Sequence, residues 1–219
     1  MITIGHRGCA GQYPENTITA VQECGSHVDM IEIDVMRCGS GELIAFHDAS
    51  LERVTGVDAP VAETDWTTIR NLKVLDTSAT IPRLENMLAA WPDNVGVNLD
   101  IHAAGIAPEA LPMAAEHVDD ILLSTTERAV LQEFDESPVD GLSGYSFQQN
   151  IGANIDRAAS MDCDYVHVPY QFCLETDIVE TAHNVGIAVG AWTVASADTF
   201  VDLRESEVDA VTVDRWDIC

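Results

Sequence analysis

Positive charge is what this sequence has least of. Its 219 residues hold ten lysines and arginines against 37 aspartates and glutamates, a formal net charge of −27, and Lys73 is the single lysine. Too few cations are present to neutralise phosphates along a strand, so no nucleic-acid partner is expected. Self-repulsion on this scale destabilises a compact chain in dilute buffer. In molar salt the Debye length falls to ~3 Å and most of that repulsion is screened. The acids are spread along the whole chain and do not form one tail. The expectation is therefore a salt-adapted protein of a halophile's cytoplasm, not an acidic dock for a basic partner.

Long apolar runs are missing too. No segment approaches the ~20 residues of a membrane-spanning helix, so no stable membrane insertion is expected. Residues 2–5 read at once as a strand with no basic, then apolar, leader ahead of them, and a cytoplasmic location is expected. Aromatic residues make up 6% against an apolar share of 47%, so the core must be mainly aliphatic. The six cysteines (Cys9, Cys24, Cys38, Cys163, Cys173 and Cys219) form no Cys-x-x-Cys pair and no zinc-like spacing. Free thiols are the expectation in a chain without a secretory leader. No Pro/Gly linker or low-complexity stretch divides the sequence, so residues 1–219 are expected to form one domain.

What is present is an alternation. Short β-rich runs occur at 2–5, 29–35, 42–46, 95–101, 120–124, 139–145, 164–168, 187–194 and 209–213. Helical patterns occupy 16–24, 83–91, 108–117, 126–136, 151–160, 175–184 and 196–205. Such alternation predicts parallel βαβ units. Too few residues separate Val35 from Leu43 for a parallel crossover, and the stretch from Arg37 to Glu42 reads as a hairpin turn. The run at 42–46 is then an antiparallel excursion, and the others make a (β/α)₈ TIM barrel with an extra hairpin strand after strand 2. A doubly wound sheet would show a Gly-rich phosphate fingerprint after its first strand, and none is there.

A barrel of this kind places its chemistry at the C-terminal ends of the strands. Those ends carry His6-Arg7-Gly8, Glu32-Ile33-Asp34, His47-Asp48 and Asp100-Ile101-His102. Glu32 and Asp34 are two apart on one strand and share a face. Like charges pointed into a barrel mouth require a compensating cation. An all-oxygen donor set completed by Asp100 favours Mg²⁺, Ca²⁺ or Mn²⁺ over zinc. A turn centred between Ser40 and Gly41 sets His47 directly opposite Asp34, where it can carry protons, touch the metal, or both. A shift of one residue would turn it away. Two imidazoles at one mouth suit proton transfer to and from phosphodiester oxygens, which makes His6 and His47 the candidate acid–base pair. Arg7 offers a planar fork for non-bridging phosphate oxygens. His27, His117, His167 and His183 are expected to be satisfied structural groups.

Taken together, Gly5-His6-Arg7-Gly8, Pro14-Glu15-Asn16-Thr17, Glu32-Ile33-Asp34-Val35 and His47-Asp48-x-x-Leu51-x-Arg53-x-Thr55 resemble the glycerophosphodiester phosphodiesterase family. Ile81-Pro82-Arg83-Leu84-Glu85, Trp192-Thr193-Val194 and the run from Val208 to Asp214 extend the resemblance over nearly the whole chain. It implies a TIM barrel that holds a divalent cation on Glu32 and Asp34, with His6 and His47 as acid and base and Arg7 on the phosphate. The implied reaction is hydrolysis of a small phosphodiester, such as glycerophosphocholine, to glycerol phosphate and an alcohol. Trp192 corresponds to the family's pocket-lining aromatic, and Asn16 is the expected N-cap of the first helix. Strand 3 departs from the family. Where the family has Glu-x-Lys, this chain has Asp100-Ile101-His102, a shorter ligand and a titratable group in place of a permanent cation. His102 is expected to take over the contact with phosphate. Two further readings stand beside this one: a phospholipase D-like hydrolase of lysophospholipids, and a barrel that binds phosphodiesters without turnover.

Overall fold

In the computed structural model, which describes residues 1–219, the strands are β1 (Ile2–Gly5), β2 (Met30–Arg37), β3 (Leu43–Ala45), β4 (Gly96–Asp100), β5 (Ile121–Thr125), β6 (Leu142–Ser146), β7 (Tyr165–Pro169), β8 (Ala188–Val194) and β9 (Ala210–Val213). All but β3 pair in parallel, and β1 bonds both β2 and β9, which closes the barrel. The helices are α1 (Ile18–Cys24), α2 (Glu52–Thr55), α3 (Trp66–Ile69), α4 (Leu84–Leu88), α5 (Ala107–Ala115), α6 (Arg128–Asp135), α7 (Ile151–Ser160), α8 (Tyr170–Glu175), α9 (Ile178–His183) and α10 (Ala197–Glu205). This is the expected TIM barrel with one extra strand. None of the helices is long and apolar enough to cross a membrane.

The strands bury both faces, and the two faces differ. Outward residues such as Ile31, Ile33, Val97, Leu99, Val166 and Val168 pack against the helices in the main core. Inward, the strand starts contribute Ile4, Met30, Leu122 and Ala210, an apolar plug at the N-terminal end of the lumen. Above that plug the lumen turns polar, with Glu32, Asn98, His167 and Thr212 all buried. The imidazole of His167 spreads over both neighbouring strands because each offers a glycine. A Cβ at Gly144 would lie 2.7 Å from it, and one at Gly190 would lie 3.1 Å away. A separate cluster of Cys38, Ile44, Phe46, Leu51, Val54, Val61, Ile69, Val74 and Ile81 forms a small core under the excursion between β2 and β4.

Two expectations are corrected. The hairpin register is Val35↔Ala45, Met36↔Ile44 and Arg37↔Leu43, and the Phe46 amide donates to the Asp34 carbonyl at 3.1 Å. Phe46, not His47, therefore faces Asp34. The cause is a three-residue loop, Gly39-Ser40-Gly41, closed by Cys38 donating to the Glu42 carbonyl, with Gly41 left-handed at φ 101°. The second correction concerns the cysteines, which are not all free. Cys9 and Cys24 form a disulfide with Cα atoms 6.1 Å apart, within the usual span for such a bridge. Cys38, Cys163, Cys173 and Cys219 are free.

Candidate active site

The end of β1 sets the geometry. Arg7, Gly8 and Cys9 are all left-handed, at φ 50°, 76° and 63°, a run that only strong local bonding sustains in non-glycine residues. It turns the Arg7 amide to donate to Glu32 Oε2 at 2.6 Å, and it folds Cys9 back toward α1. Asn16 is left-handed too, at φ 54°. Its Nδ2 donates to Asp34 Oδ2 at 2.7 Å, and its Oδ1 accepts from the Asp34 amide at 3.2 Å. It is thus not the cap of α1. That place is taken by Thr17, whose hydroxyl accepts from the Ala20 amide.

Glu32 and Asp34 point into the barrel mouth from β2, and Asp100 is the register partner of Asp34 on β4. One oxygen of each of the three carboxylates lies within 4.8 Å of the others. Burial, with Asp34 nearby, pushes Glu32 up to about 8. Burial also raises Asp34, although Arg7 opposes it. Asp100 goes the other way: burial is outweighed by the hydrogen bonds from His102 and Ser124. Asp34 Oδ1 is buried and accepts no hydrogen bond. Three clustered carboxylates, two with pKa values raised by burial and one of those two, Asp34, with an idle oxygen, fit a hard divalent cation.

Each candidate histidine is tethered to a carboxylate through Nδ1. His6 Nδ1 lies 2.7 Å from Asp214 Oδ1, and His47 Nδ1 lies 2.6 Å from Asp48 Oδ1. Ionised carboxylates accept only, so both imidazoles carry Nδ1–H and keep Nε2 for other work. Burial lowers the His6 pKa, but Asp214 and Glu32 more than offset it and the net shift is upward. His47 follows the end of β3. Although the ladder does not set it opposite Asp34, the chain beyond Ala45 brings it to the same cleft.

Behind these groups runs a chain of alternating charge. Arg7 Nε lies 3.1 Å from Asp34 Oδ2, and its Nη1 donates to Glu15 Oε1 at 2.9 Å. Glu15 accepts two more bonds from Arg53, at 2.7 and 2.8 Å. Arg53 in turn grips both oxygens of Asp48, the carboxylate that holds His47. Asp48 is lowered to about 2, mainly by Arg53.

A cleft of about 270 Å³ brings together all eight expected residues: His6, Arg7, Glu32, Asp34, His47, Asp100, His102 and Trp192. His102 Nε2 bonds Asp100 Oδ2 at 2.8 Å, which raises its pKa. His167 departs from its expected role as a satisfied core group. It lines the cleft, its Nε2 has no partner, and burial lowers it to about 4. The other three behave as structural groups: His27 stacks on Trp216 at 3.7 Å, His183 bonds Asp209, and His117 is exposed. Glu15, Asn16, Arg53 and Asp214 escaped the spacing argument, and Asp48 was marked by it only as a strand-end acid without a role. Each lies in a stretch that carries the family resemblance, which was the one available signal.

The Glycerophosphoryl diester phosphodiesterase family matches residues 6–144. The structure of an Oleispira antarctica phosphodiesterase in complex with the product sn-glycerol-3-phosphate superposes with a TM-score of 0.89 at 26% identity, covering 100% of this chain and 95% of that one. The Glycerophosphodiester phosphodiesterase of Caldanaerobacter subterraneus subsp. tengcongensis is 24% identical over 233 residues, 97% of this chain and 93% of its own. The Lysophospholipase D GDPD1 of Rattus norvegicus is 32% identical over 111 residues, 45% of this chain and 35% of its own. With a match over well more than half its length, a shared barrel and an acidic triad at the mouth, the chain belongs to the glycerophosphoryl diester phosphodiesterase family of enzymes.

Proposed function

We propose that this protein hydrolyses glycerophosphodiesters to glycerol phosphate and an alcohol, with His6 and His47 as its proton carriers. The observation that carries the reading is the pairing of two carboxylate-tethered imidazoles with a buried acidic triad in one cleft. Glu32, Asp34 and Asp100 would hold a divalent cation, Mg²⁺ or Ca²⁺ with Mn²⁺ also suited, which when bound offsets charge on the phosphate. Arg7, fixed by Glu15 and Asp34, presents its remaining donors to a non-bridging oxygen. His6, whose pKa is raised, holds the proton needed by the leaving alkoxide. His47, oriented by Asp48, accepts the proton of the attacking water. His102 adds a second cation near the phosphate, and Trp192 lines the wall beside it.

A lysophospholipid substrate fits less well. Only one of the sixteen residues lining the cleft is hydrophobic, so no wall is offered to an acyl chain. The charge of −27 supports activity in concentrated salt. The test is glycerol phosphate release from glycerophosphocholine in molar KCl, with each cation and with EDTA, for wild type and for His6→Ala and His47→Ala. Turnover that requires a cation and is abolished in both variants is expected. Undiminished activity in EDTA would remove the cation, and a wild-type rate in either variant would remove that histidine.

A further inference from the structure

Beside the active-site cleft, on its β5–β6 side, lies a second recess of about 650 Å³, and Thr126, Ser146 and Gln148 line both. This recess lies at the barrel mouth between the end of β6 and α7, so one substituent of a phosphate held at the triad can extend into it. Its chemistry contrasts with the rest of the surface. None of its ten lining residues is acidic, in a chain with 37 acids. At its wall stands Arg157, whose Nη1 donates to the Tyr145 hydroxyl and to Asn154 Oδ1, both at 3.0 Å. Asn154 is buried and is itself fixed by donating to the Gln149 carbonyl at 2.7 Å.

Both partners of Arg157 are neutral. Arg7, Arg37, Arg53, Arg83 and Arg215 each hold a carboxylate, whereas Arg157 holds none. Arg70, Arg128 and Arg204 also lack an acidic partner, but they do not line this recess. The recess therefore presents a positioned guanidinium with donors to spare, beside amides and hydroxyls. Such a surface hydrogen-bonds to hydroxyl groups. A quaternary ammonium seeks carboxylates or open aromatic faces; the recess has no carboxylate, its one charge is positive, and Tyr145 and Phe147 on its lining are largely buried.

We propose that this recess binds the alcohol half of the substrate and selects a polyhydroxylated alcohol, glycerol- or inositol-like, over choline, with Arg157 as the specificity-determining residue. The inference rests on the phosphodiesterase reading above. It is tested by kcat/KM for glycerophosphoinositol and glycerophosphocholine, measured on the cation-loaded wild type and on Arg157→Leu and Arg157→Lys. One charge-assisted hydrogen bond corresponds to about a tenfold preference for the inositol diester in the wild type. That ratio is expected to collapse toward one in Arg157→Leu, through KM, and to recover in part in Arg157→Lys. A ratio of two substrates on one preparation does not depend on the fraction folded, so a poorly folding variant still reports. A wild type that turns over glycerophosphocholine without preferring the inositol diester overturns this inference alone, as does a preference untouched by Arg157→Leu. A wild type that hydrolyses neither diester with any cation overturns the phosphodiesterase reading and this inference with it.

Discussion

Replacing Glu15 by alanine would leave two guanidinium groups facing each other with nothing between them. In the native protein this carboxylate is 8% exposed and accepts three charge-assisted bonds, one from Arg7 and two from Arg53. Breaking one side of a fully buried pair costs about 3–5 kcal/mol. Arg53 is 47% exposed and can recruit water, so the lower end, roughly 3 kcal/mol, is expected. For a chain of this length that is roughly 6–12 °C in Tm. Arg53→Ala should cost less than about 1 kcal/mol by itself. The pair should couple in a double-mutant cycle by at least about 1 kcal/mol. Urea denaturation of the two single variants and the double variant measures this. Burial raises Glu15, but Arg53 and Arg7 outweigh it and hold its pKa below 4.5. Its stabilisation is therefore complete above the ordinary carboxylate range and fades as pH falls through the depressed value. The gap between wild type and Glu15→Ala should accordingly narrow in acid. Additive effects, or a Glu15→Ala protein as stable as the wild type, would refute the view that Glu15 bridges the two arginines.

Glu32, raised to about 8 from 4.5, stabilises the fold in its protonated form, a contribution lost as pH climbs toward 8. Cations compete for the ionised triad, so the thermal shift produced by Mg²⁺ or Ca²⁺ should grow between those two values; a flat response would count against the triad as the binding site. Gly8→Ala places a methyl 2.7 Å from Ala20 Cβ at a φ of 76°, and a loss of at least about 2 kcal/mol is expected on urea unfolding. A loss below about 0.5 kcal/mol would show that the turn yields easily. His102 has a raised pKa because of Asp100 and loses its charge as pH rises past that value. His102→Lys should therefore hold kcat/KM up at alkaline pH where the wild type declines, and superimposable pH profiles would exclude His102 from phosphate binding.

Much of the barrel was legible because its helices are amphipathic and its strands are short apolar runs between them. All eight expected site residues reach one cleft because strand ends, once identified, converge by topology. What escaped was decided by backbone choices that composition does not reveal. Gly39-Ser40-Gly41 permits a loop of either parity, and the left-handed Gly41 selects three residues. The meeting of Cys9 with Cys24 depends on three consecutive left-handed residues, of which only Gly8 advertises the conformation. Asn16 looked like a cap because caps and left-handed turns favour the same side chains; the buried Asp34 claimed it, and Thr17 took the cap. Glu15 and Arg53 are 38 residues apart, and no periodicity connects them. Helix α8 was unassigned, since six residues directly after a strand carry too little pattern.

On the roles proposed above, the small core beneath the excursion sets one histidine apart from the cation ligands. His47, Asp48 and Arg53 belong to a segment packed on its own nine-residue apolar cluster, whereas the acidic triad and His6 are rooted in the barrel. Segments with a private core can open as cooperative units below the global unfolding free energy. A transient opening here would carry His47 away and leave the triad assembled. If the proposed roles hold, cation affinity and turnover report on different parts of the molecule, and mild denaturant should silence turnover before it empties the cation site.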